Sequence, residues 1–119
     1  MSDWGEVEHE SEVGDWLDAL SDGEFGHVAF YVDLLAERGP LLDYPYTSQL
    51  DGKLRELRLY LGRDRVRISY WIAPGRRIVL LTVFAKTKAR EKAEIKRAKR
   101  AMDKCMKERH TAEDGNNDG

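Results

Sequence analysis

Cationic side chains at the ends of predicted strands are the residues of this sequence best suited to chemistry. Arg58 and Arg67 each fall on the polar side of an alternating segment, and Lys86 and Lys88 follow the last apolar run. Arginine binds phosphate through two parallel hydrogen bonds and stays charged, and a helix beginning after the lysines would attract anions to its N-terminus. These residues predict a phosphate-binding surface. The plainer alternative is a solvated sheet face and an ordinary basic loop.

The charge of the chain is divided unequally along its length. Residues 1–50 contain one basic and twelve acidic side chains, whereas residues 51–109 contain nineteen basic and seven acidic ones, giving net charges of −11 and +12. The overall charge of −2 hides this division. A basic segment of this kind favours a polyanionic partner such as nucleic acid, because phosphate binding depends on local lysines and arginines. The alternative is that the two segments pack together and neutralise each other.

Length and composition predict one compact domain that needs no disulfide. The chain has 119 residues, of which 41% are hydrophobic and 35% charged. Its single cysteine, Cys105, cannot form an internal disulfide, which fits a reducing compartment. The acidic N-terminus lacks the apolar core of a signal peptide, and no segment approaches the roughly 18 apolar residues of a membrane helix. We therefore expect a cytoplasmic protein without membrane contact.

Two helices are predicted to precede the cationic strands. A short strand is expected within residues 4–8, and apolar residues at helical spacing then predict a helix capped by Ser11. Ser21 and Glu24 form the pattern of a capping box, which predicts the start of a second helix. This helix should end at Gly39-Pro40. The two helices are expected to pair as an αα-hairpin.

The second half of the chain predicts a sheet and a long helix. Apolar and polar residues alternate over residues 57–61 and 66–72, and residues 78–85 form a nearly continuous apolar run, so we expect three antiparallel strands joined by short turns. Residues 89–109 predict an amphipathic basic helix. The predicted fold is α+β: a small antiparallel sheet, an N-terminal αα-hairpin on one side, and a basic C-terminal helix. The domain is expected to span residues 1–109, with a disordered acidic tail at 110–119.

The order and spacing of several segments resemble a known family. Leu54-Arg55-Glu56-Leu57-Arg58 is followed by Arg65-Val66-Arg67-Ile68-Ser69-Tyr70, then by Arg76-Arg77-Ile78-Val79-Leu80-Leu81, and then by the lysine-rich turn from Phe84 to Glu91 and by Glu94-Ile95. This succession closely resembles the RelE/HigB superfamily of bacterial toxins, especially its phage-derived HigB-like branch. The resemblance covers about residues 4–107 and is strongest over 50–100.

The resemblance implies a RelE-like fold and the toxin of a type II toxin–antitoxin pair. Such toxins act as ribosome-dependent mRNA endonucleases, entering the ribosomal A site and cutting mRNA without a metal or other cofactor. The ribose 2′-hydroxyl attacks the adjacent phosphate, leaving a 2′,3′-cyclic phosphate or its hydrolysis product. The implied partners are mRNA in the A site and a cognate helix-turn-helix antitoxin, through which alone the toxin would associate with operator DNA.

Site residues are expected among the cations that match the family pattern. Arg67 is the first choice as a phosphate clamp, and Arg58, Lys86 and Lys88 complete the expected catalytic set. Trp71 falls on the face of Arg67 and could stack a base. The expected RNA-binding residues are Arg55, Arg65, Trp71, Arg76, Arg77, Arg90 and Lys92. No metal-ligand spacing is present in the sequence.

One departure from the family leaves the general base unidentified. Many relatives carry Tyr or His near the end of the last strand, where this chain has Phe84-Ala85 and no nearby histidine. Tyr60 and Tyr70 are the candidates that could replace this residue as the general base. Tyr70, however, alternates with the apolar residues of its strand and is expected in the core. Two alternatives therefore stand beside the nuclease: a non-catalytic RNA- or ribosome-binding module, and a protein-interaction module whose basic half meets an acidic partner.

Overall fold

The computed structural model describes residues 3–89 and 91–117, with side chains as far as Glu108. In chain order the elements are β1 (Glu6–His9), α1 (Ser11–Asp18), α2 (Asp22–Arg38), a 3-10 turn (Gly39–Leu41), β2 (Thr47–Asp51), β3 (Leu54–Leu61), β4 (Asp64–Ala73), β5 (Arg77–Ala85) and α3 (Glu91–Asn117). The strands form one sheet in the order β1-β5-β4-β3-β2. β1 runs parallel to β5, and every other pair is antiparallel.

The αα-hairpin covers one face of the sheet, as the sequence predicts. The Ser21 hydroxyl accepts from the Glu24 amide at 3.2 Å, and the Glu24 carboxylate accepts from the Ser21 amide at 3.0 Å, so the predicted capping box starts α2. Gly39 ends the helix with a positive φ of 53°. The core on this side joins both helices to the central strands through Val13, Val28, Leu35, Leu57, Ile68, Tyr70 and Leu80.

Helix α3 covers part of the opposite face. Its residues Ala98, Met102 and Cys105 pack against apolar side chains from the start of β3, the end of β4 and the first half of β5. The other half of that face, where β3 ends, β4 begins and β5 ends, contributes no residue to this core. The fold therefore leaves one end of one sheet face outside the α3 packing.

The predicted α+β architecture is confirmed, but the sheet is larger than the predicted meander. β2 occupies a segment predicted as a loop, and pairs with β3 although its sequence, Thr-Ser-Gln-Leu-Asp, lacks a clear apolar alternation. The sheet is mixed rather than wholly antiparallel, because β1 adds to β5 in parallel. Helix α3 runs to Asn117, past the domain boundary expected at residue 109, and that division stays a prediction. Over the described residues, no helix has the length and apolar character needed to cross a bilayer.

Candidate nucleic-acid site

Cations from three strands meet at the end of the sheet that α3 leaves outside its core. In the register, Arg58 of β3 lies opposite Arg67 of β4, and Tyr60 lies opposite Arg65. Because side chains alternate along a strand, these four residues share one face. The amide of Lys86 donates to the carbonyl oxygen of Arg65 at 2.8 Å, which brings the end of β5 to the same place. We call Arg58, Arg65, Arg67 and Lys86 the cationic surface.

Arg67 is the buried member of the cationic surface. Only 3% of it is exposed, its Nε lies 3.6 Å from the Oε2 of the equally buried Glu56, and its Nη1 donates to the carbonyl oxygen of Val66 at 3.1 Å. The Ser48 hydroxyl donates to the same Glu56 oxygen at 2.7 Å. Burial lowers the pKa of Arg67, and the charges of Arg58 and Arg65 act in the same direction, while Glu56 opposes them.

Arg67 is therefore less accessible than a phosphate clamp needs to be, and its role as the first clamp stays a prediction. A guanidinium already bound by a carboxylate and a carbonyl has little surface to offer a ligand. Arg65 is exposed, and Arg58 and Lys86 are half-buried, so these three can meet an incoming phosphate. Arg67 is buried beneath these three side chains and adds its positive charge to theirs. The Nζ of Lys86 lies 4.0 Å from Glu91 at the start of α3, which orients the lysine only loosely.

Tyrosines surround the cationic surface at the open edge of β3. A cavity of about 260 Å³ lies there, lined by Tyr31, Tyr44, Pro45, Tyr46, Arg58, Leu59, Tyr60 and Arg67. The Arg58 guanidinium lies 4.8 Å from the centre of the Tyr44 ring, a cation–π contact. Sequence reasoning named Tyr60 but missed the other three tyrosines. The pair of tyrosines flanking Pro45, in a predicted loop beside cationic strands, was the available signal.

Two predicted RNA-binding arginines lie at the opposite end of the sheet. Arg76 and Arg77 stand at the start of β5, and the nine residues of that strand separate them from Lys86 by about 30 Å. The Arg76 guanidinium packs over the Trp4 ring at 5.7 Å, and Arg77 Nε lies 3.3 Å from a carboxylate oxygen of Glu8. They therefore lie outside the group of cations around Arg67, and their predicted contact with RNA stays a prediction. Because they precede β5 and Lys86 follows it, the order of the residues along the strand already implies this separation.

Arg55 and Trp71 also depart from their expected positions. Arg55 lies opposite Tyr70, on the sheet face that the hairpin covers, and donates to the Tyr70 hydroxyl at 3.3 Å and to Thr47 Oγ1 at 3.1 Å. Trp71 shares the face of Arg67 as predicted, but it is only 5% exposed, because α3 covers that half of the face. Its indole therefore cannot stack an RNA base.

The remaining predicted residues lie near the start of α3 or outside the described part. Lys88 and Lys92 are exposed, and Arg90 is not among the described residues. Tyr70 is fully buried, as expected of a core residue. His27 Nε2 bonds to the carbonyl oxygen of Tyr60 at 2.8 Å, so that nitrogen carries the proton and faces the backbone. Among the residues described, no three His, Cys, Asp or Glu side chains form a group that could hold a metal ion.

Comparisons with known proteins agree with this architecture. The family model described as "Phage derived protein Gp49-like (DUF891)" matches residues 15–103. The archaeal RelE of a RelE–RelB complex from Pyrococcus horikoshii is 22% identical, with a TM-score of 0.53 over 71% of this chain and 98% of that chain. A mutant of the E. coli toxin RelE in the free state is 13% identical, with a TM-score of 0.56 over 87% of this chain and 98% of that one. No curated protein matches.

Proposed function

Since the chain belongs to the phage-derived Gp49-like family and has the fold of RelE toxins, we propose that it is the toxin of a type II toxin–antitoxin pair. Its activity would be ribosome-dependent cleavage of mRNA in the cytoplasm. The observation that carries the proposal is the gathering of Arg58, Arg65 and Lys86 on an open sheet end, above the buried charge of Arg67. Such a surface suits a substrate whose reacting group is a phosphodiester.

The cations would act on the charge that develops at phosphorus. In the proposed reaction the ribose 2′-hydroxyl loses its proton and attacks the adjacent phosphate, the 5′-oxygen of the next nucleotide leaves, and a 2′,3′-cyclic phosphate remains. Arg58 and Arg65 would bind the non-bridging oxygens, whose negative charge rises in the transition state. Lys86 and Lys88 would donate hydrogen bonds to the phosphate or a proton to the leaving oxygen. Tyr60, which is exposed beside Arg65, would take part in proton transfer.

A cognate antitoxin is the proposed protein partner. The archaeal relative is a complex with RelB, and an antitoxin that covers the cationic surface would exclude mRNA from it. A helix-turn-helix antitoxin would also bring the toxin to operator DNA without any direct contact between toxin and DNA. Acidic side chains in the antitoxin would complement Arg58, Arg65 and Lys86.

A second candidate function is RNA or ribosome binding without cleavage. The observation that favours it is the surroundings of the two side chains nearest the site: the Arg67 guanidinium is paired with Glu56, and the Nε2 of His27 is bound to the carbonyl oxygen of Tyr60. Binding needs only cations and aromatic surfaces, whereas cleavage also needs a base and an acid. The nuclease would break the scissile bond of the RNA, whereas the binding module would leave it intact. Both would bind RNA in a manner that weakens as the salt concentration rises.

The test is mRNA cleavage in a reconstituted translation reaction. Wild type is compared with Arg58→Ala and Lys86→Ala, and with Arg76→Ala and Lys53→Ala as charge-matched controls at the opposite end of the sheet. Removing a group that stabilises the transition state costs about 10²–10³ in rate. We expect that loss in the first two variants and full activity in the controls, with cuts only when ribosomes are present.

Three other outcomes would change the conclusion. Cleavage of free RNA would keep the nuclease and remove the ribosome from the mechanism. Salt-sensitive ribosome binding without cuts would establish the binding module instead. Equal losses in all four variants would show that overall charge matters and that the cationic surface is not the site.

A further inference from the structure

The tyrosine-lined cavity beside the cationic surface combines several aromatic rings with two arginines. Four tyrosines, Tyr31, Tyr44, Tyr46 and Tyr60, form its walls, and Arg58 and Arg67 line it on the side of the sheet. The cavity lies where β3 continues past the first residue of β2, so that the strand edge there is not covered by another strand. It thus combines flat aromatic surfaces with fixed positive charge.

The walls of the cavity are held in place by hydrogen bonds from the backbone. The Tyr44 amide donates to Asp43 Oδ1 at 2.8 Å, the Tyr46 amide donates to the Asp43 carbonyl oxygen at 3.0 Å, and the Tyr46 carbonyl oxygen accepts from the Arg58 amide at 2.8 Å. The Tyr31 ring lies 6.3 Å from that of Tyr46. These bonds fix the backbone that carries Tyr44 and Tyr46, so a ligand that binds there does not have to order the loop.

The exposure of these rings is unusual for their size. Tyr44 is 71% exposed, Tyr60 60% and Tyr46 37%. On the cationic side, the Nε of the buried Arg67 has no hydrogen-bond partner. Exposed aromatic rings beside accessible cations, here Arg58 and Arg65, are the combination that binds a planar base attached to a phosphate.

We propose that this cavity binds the base of a nucleotide of single-stranded RNA, next to the phosphate that the cationic surface holds. The inference rests on the proposed function for the identity of the ligand, but it concerns binding and not cleavage. The RNA backbone would lie over Arg58 and Arg65, and the base would stack on Tyr44, whose ring already contacts a guanidinium. Every base has a π-face, so the site would accept any base with little preference.

A fluorescent single-stranded oligonucleotide tests the proposal. The probe has 2′-O-methyl riboses, so that the reaction cannot proceed, and carries 2-aminopurine at one position. Tyr44→Leu removes the ring at similar volume, Tyr44→Phe keeps it, and Phe25→Leu is the control at an exposed aromatic residue of α2 that does not line the cavity. We expect wild type, Tyr44→Phe and Phe25→Leu to bind and quench the probe equally. Tyr44→Leu should bind roughly 5- to 150-fold more weakly and quench little.

An abasic probe separates stacking from a general loss of binding. Without the base, wild type and Tyr44→Leu should bind equally, whereas Arg58→Ala should weaken both probes and reduce the salt dependence. The proposal is overturned if Tyr44→Leu binds and quenches the probe like wild type. It is also overturned if wild type does not bind the probe at all, while an acidic peptide of the antitoxin shields the Tyr44 ring from solvent. Binding of the probe by a protein that cuts nothing in translation would refute the nuclease and leave the base site standing.

Discussion

Replacing Glu56 by alanine is expected to destabilise the fold strongly, because the substitution removes the counter-ion of a buried arginine. Glu56 is 5% exposed and Arg67 3%, and the carboxylate lies 3.6 Å from the guanidinium. The substitution leaves the arginine buried, charged and without its counter-ion. It also removes the acceptor of the Ser48 hydroxyl. Burial without a partner is the costly state for a charged group.

The expected magnitude follows from that burial. Breaking a buried ion pair by removing one partner costs about 3–5 kcal/mol, whereas a domain of this size has a total stability of about 5–15 kcal/mol. With a urea m-value of about 2 kcal/mol/M, a loss of about 4 kcal/mol moves the unfolding midpoint by about 2 M. Replacing both partners with apolar residues, as in Glu56→Leu with Arg67→Met, should recover most of the loss, because no buried charge then remains unpaired.

Urea unfolding followed by circular dichroism measures wild type, Glu56→Leu, Arg67→Met and the variant with both changes, which form a double-mutant cycle, and Glu56→Ala beside them. The control is Asp51→Ala, which breaks the exposed pair of Asp51 with Lys99 and should leave the unfolding midpoint almost unchanged. The reasoning is refuted if either single substitution of the buried pair costs no more than the control, or if the double variant is as unstable as the sum of the two. An inactive Arg67→Ala protein would by itself say little about catalysis, because the same substitution is expected to damage the fold.

Three further predictions concern the elements that support the site. Ser21→Ala should lower the free energy of unfolding by about 1 kcal/mol, because α2 loses its N-cap, while RNA cleavage at permissive temperature should not change; thermal unfolding and the cleavage assay check this together. The Ser21 hydrogen bonds hold the pKa of Glu24 below its usual value, so the stability difference between wild type and Glu24→Ala should be complete near neutral pH and shrink as the pH falls through that pKa; a constant difference from pH 7 to acid would contradict it. Glu12 accepts from the Val83 amide at 2.9 Å and pairs with Arg97, so Glu12→Ala should speed hydrogen exchange of that amide roughly tenfold, with no change expected at strand amides far from β5.

The elements that the sequence could predict are those with a local signal. The capping box of Ser21 and Glu24, the glycine at position 39 and the alternation of β3 and β4 are each visible within a few residues, and the structure confirms them. The sequence does not predict β2, because its residues show no clear alternation of apolar and polar side chains. β2 is also an outer strand that pairs only with β3. The parallel pairing of β1 with β5 joins segments about seventy residues apart, which no local pattern can reveal.

The site was predictable in its residue types and less so in its extent. Alternation alone places Arg58 and Arg67 on one face, and it also separates Arg55 from Arg58, a distinction the charge pattern obscured. Trp71 was assigned correctly to the face of Arg67, but which half of that face α3 covers depends on tertiary packing. Tyr44 reaches Arg58 only because the loop before β2 pairs back onto β3, so its contribution could be found only in three dimensions.

The acidic first half of the chain neutralises some cations of the basic half and leaves others unpaired. The ion pairs that join residues 1–50 to the basic half use Arg55, Arg77 and Arg97, and among the described residues none of them uses Arg58, Arg65 or Lys86. Mutual neutralisation therefore accounts for Arg55, Arg77 and Arg97 and does not account for Arg58, Arg65 and Lys86. The apolar sides of the two N-terminal helices pack on the opposite face of the sheet, and no ion pair joins them to Arg58, Arg65 or Lys86 among the described residues. The positive charge of Arg58, Arg65 and Lys86 is therefore not neutralised by the acidic half. It lies where an RNA phosphate would contact these cations and the attached base would reach the tyrosine-lined cavity.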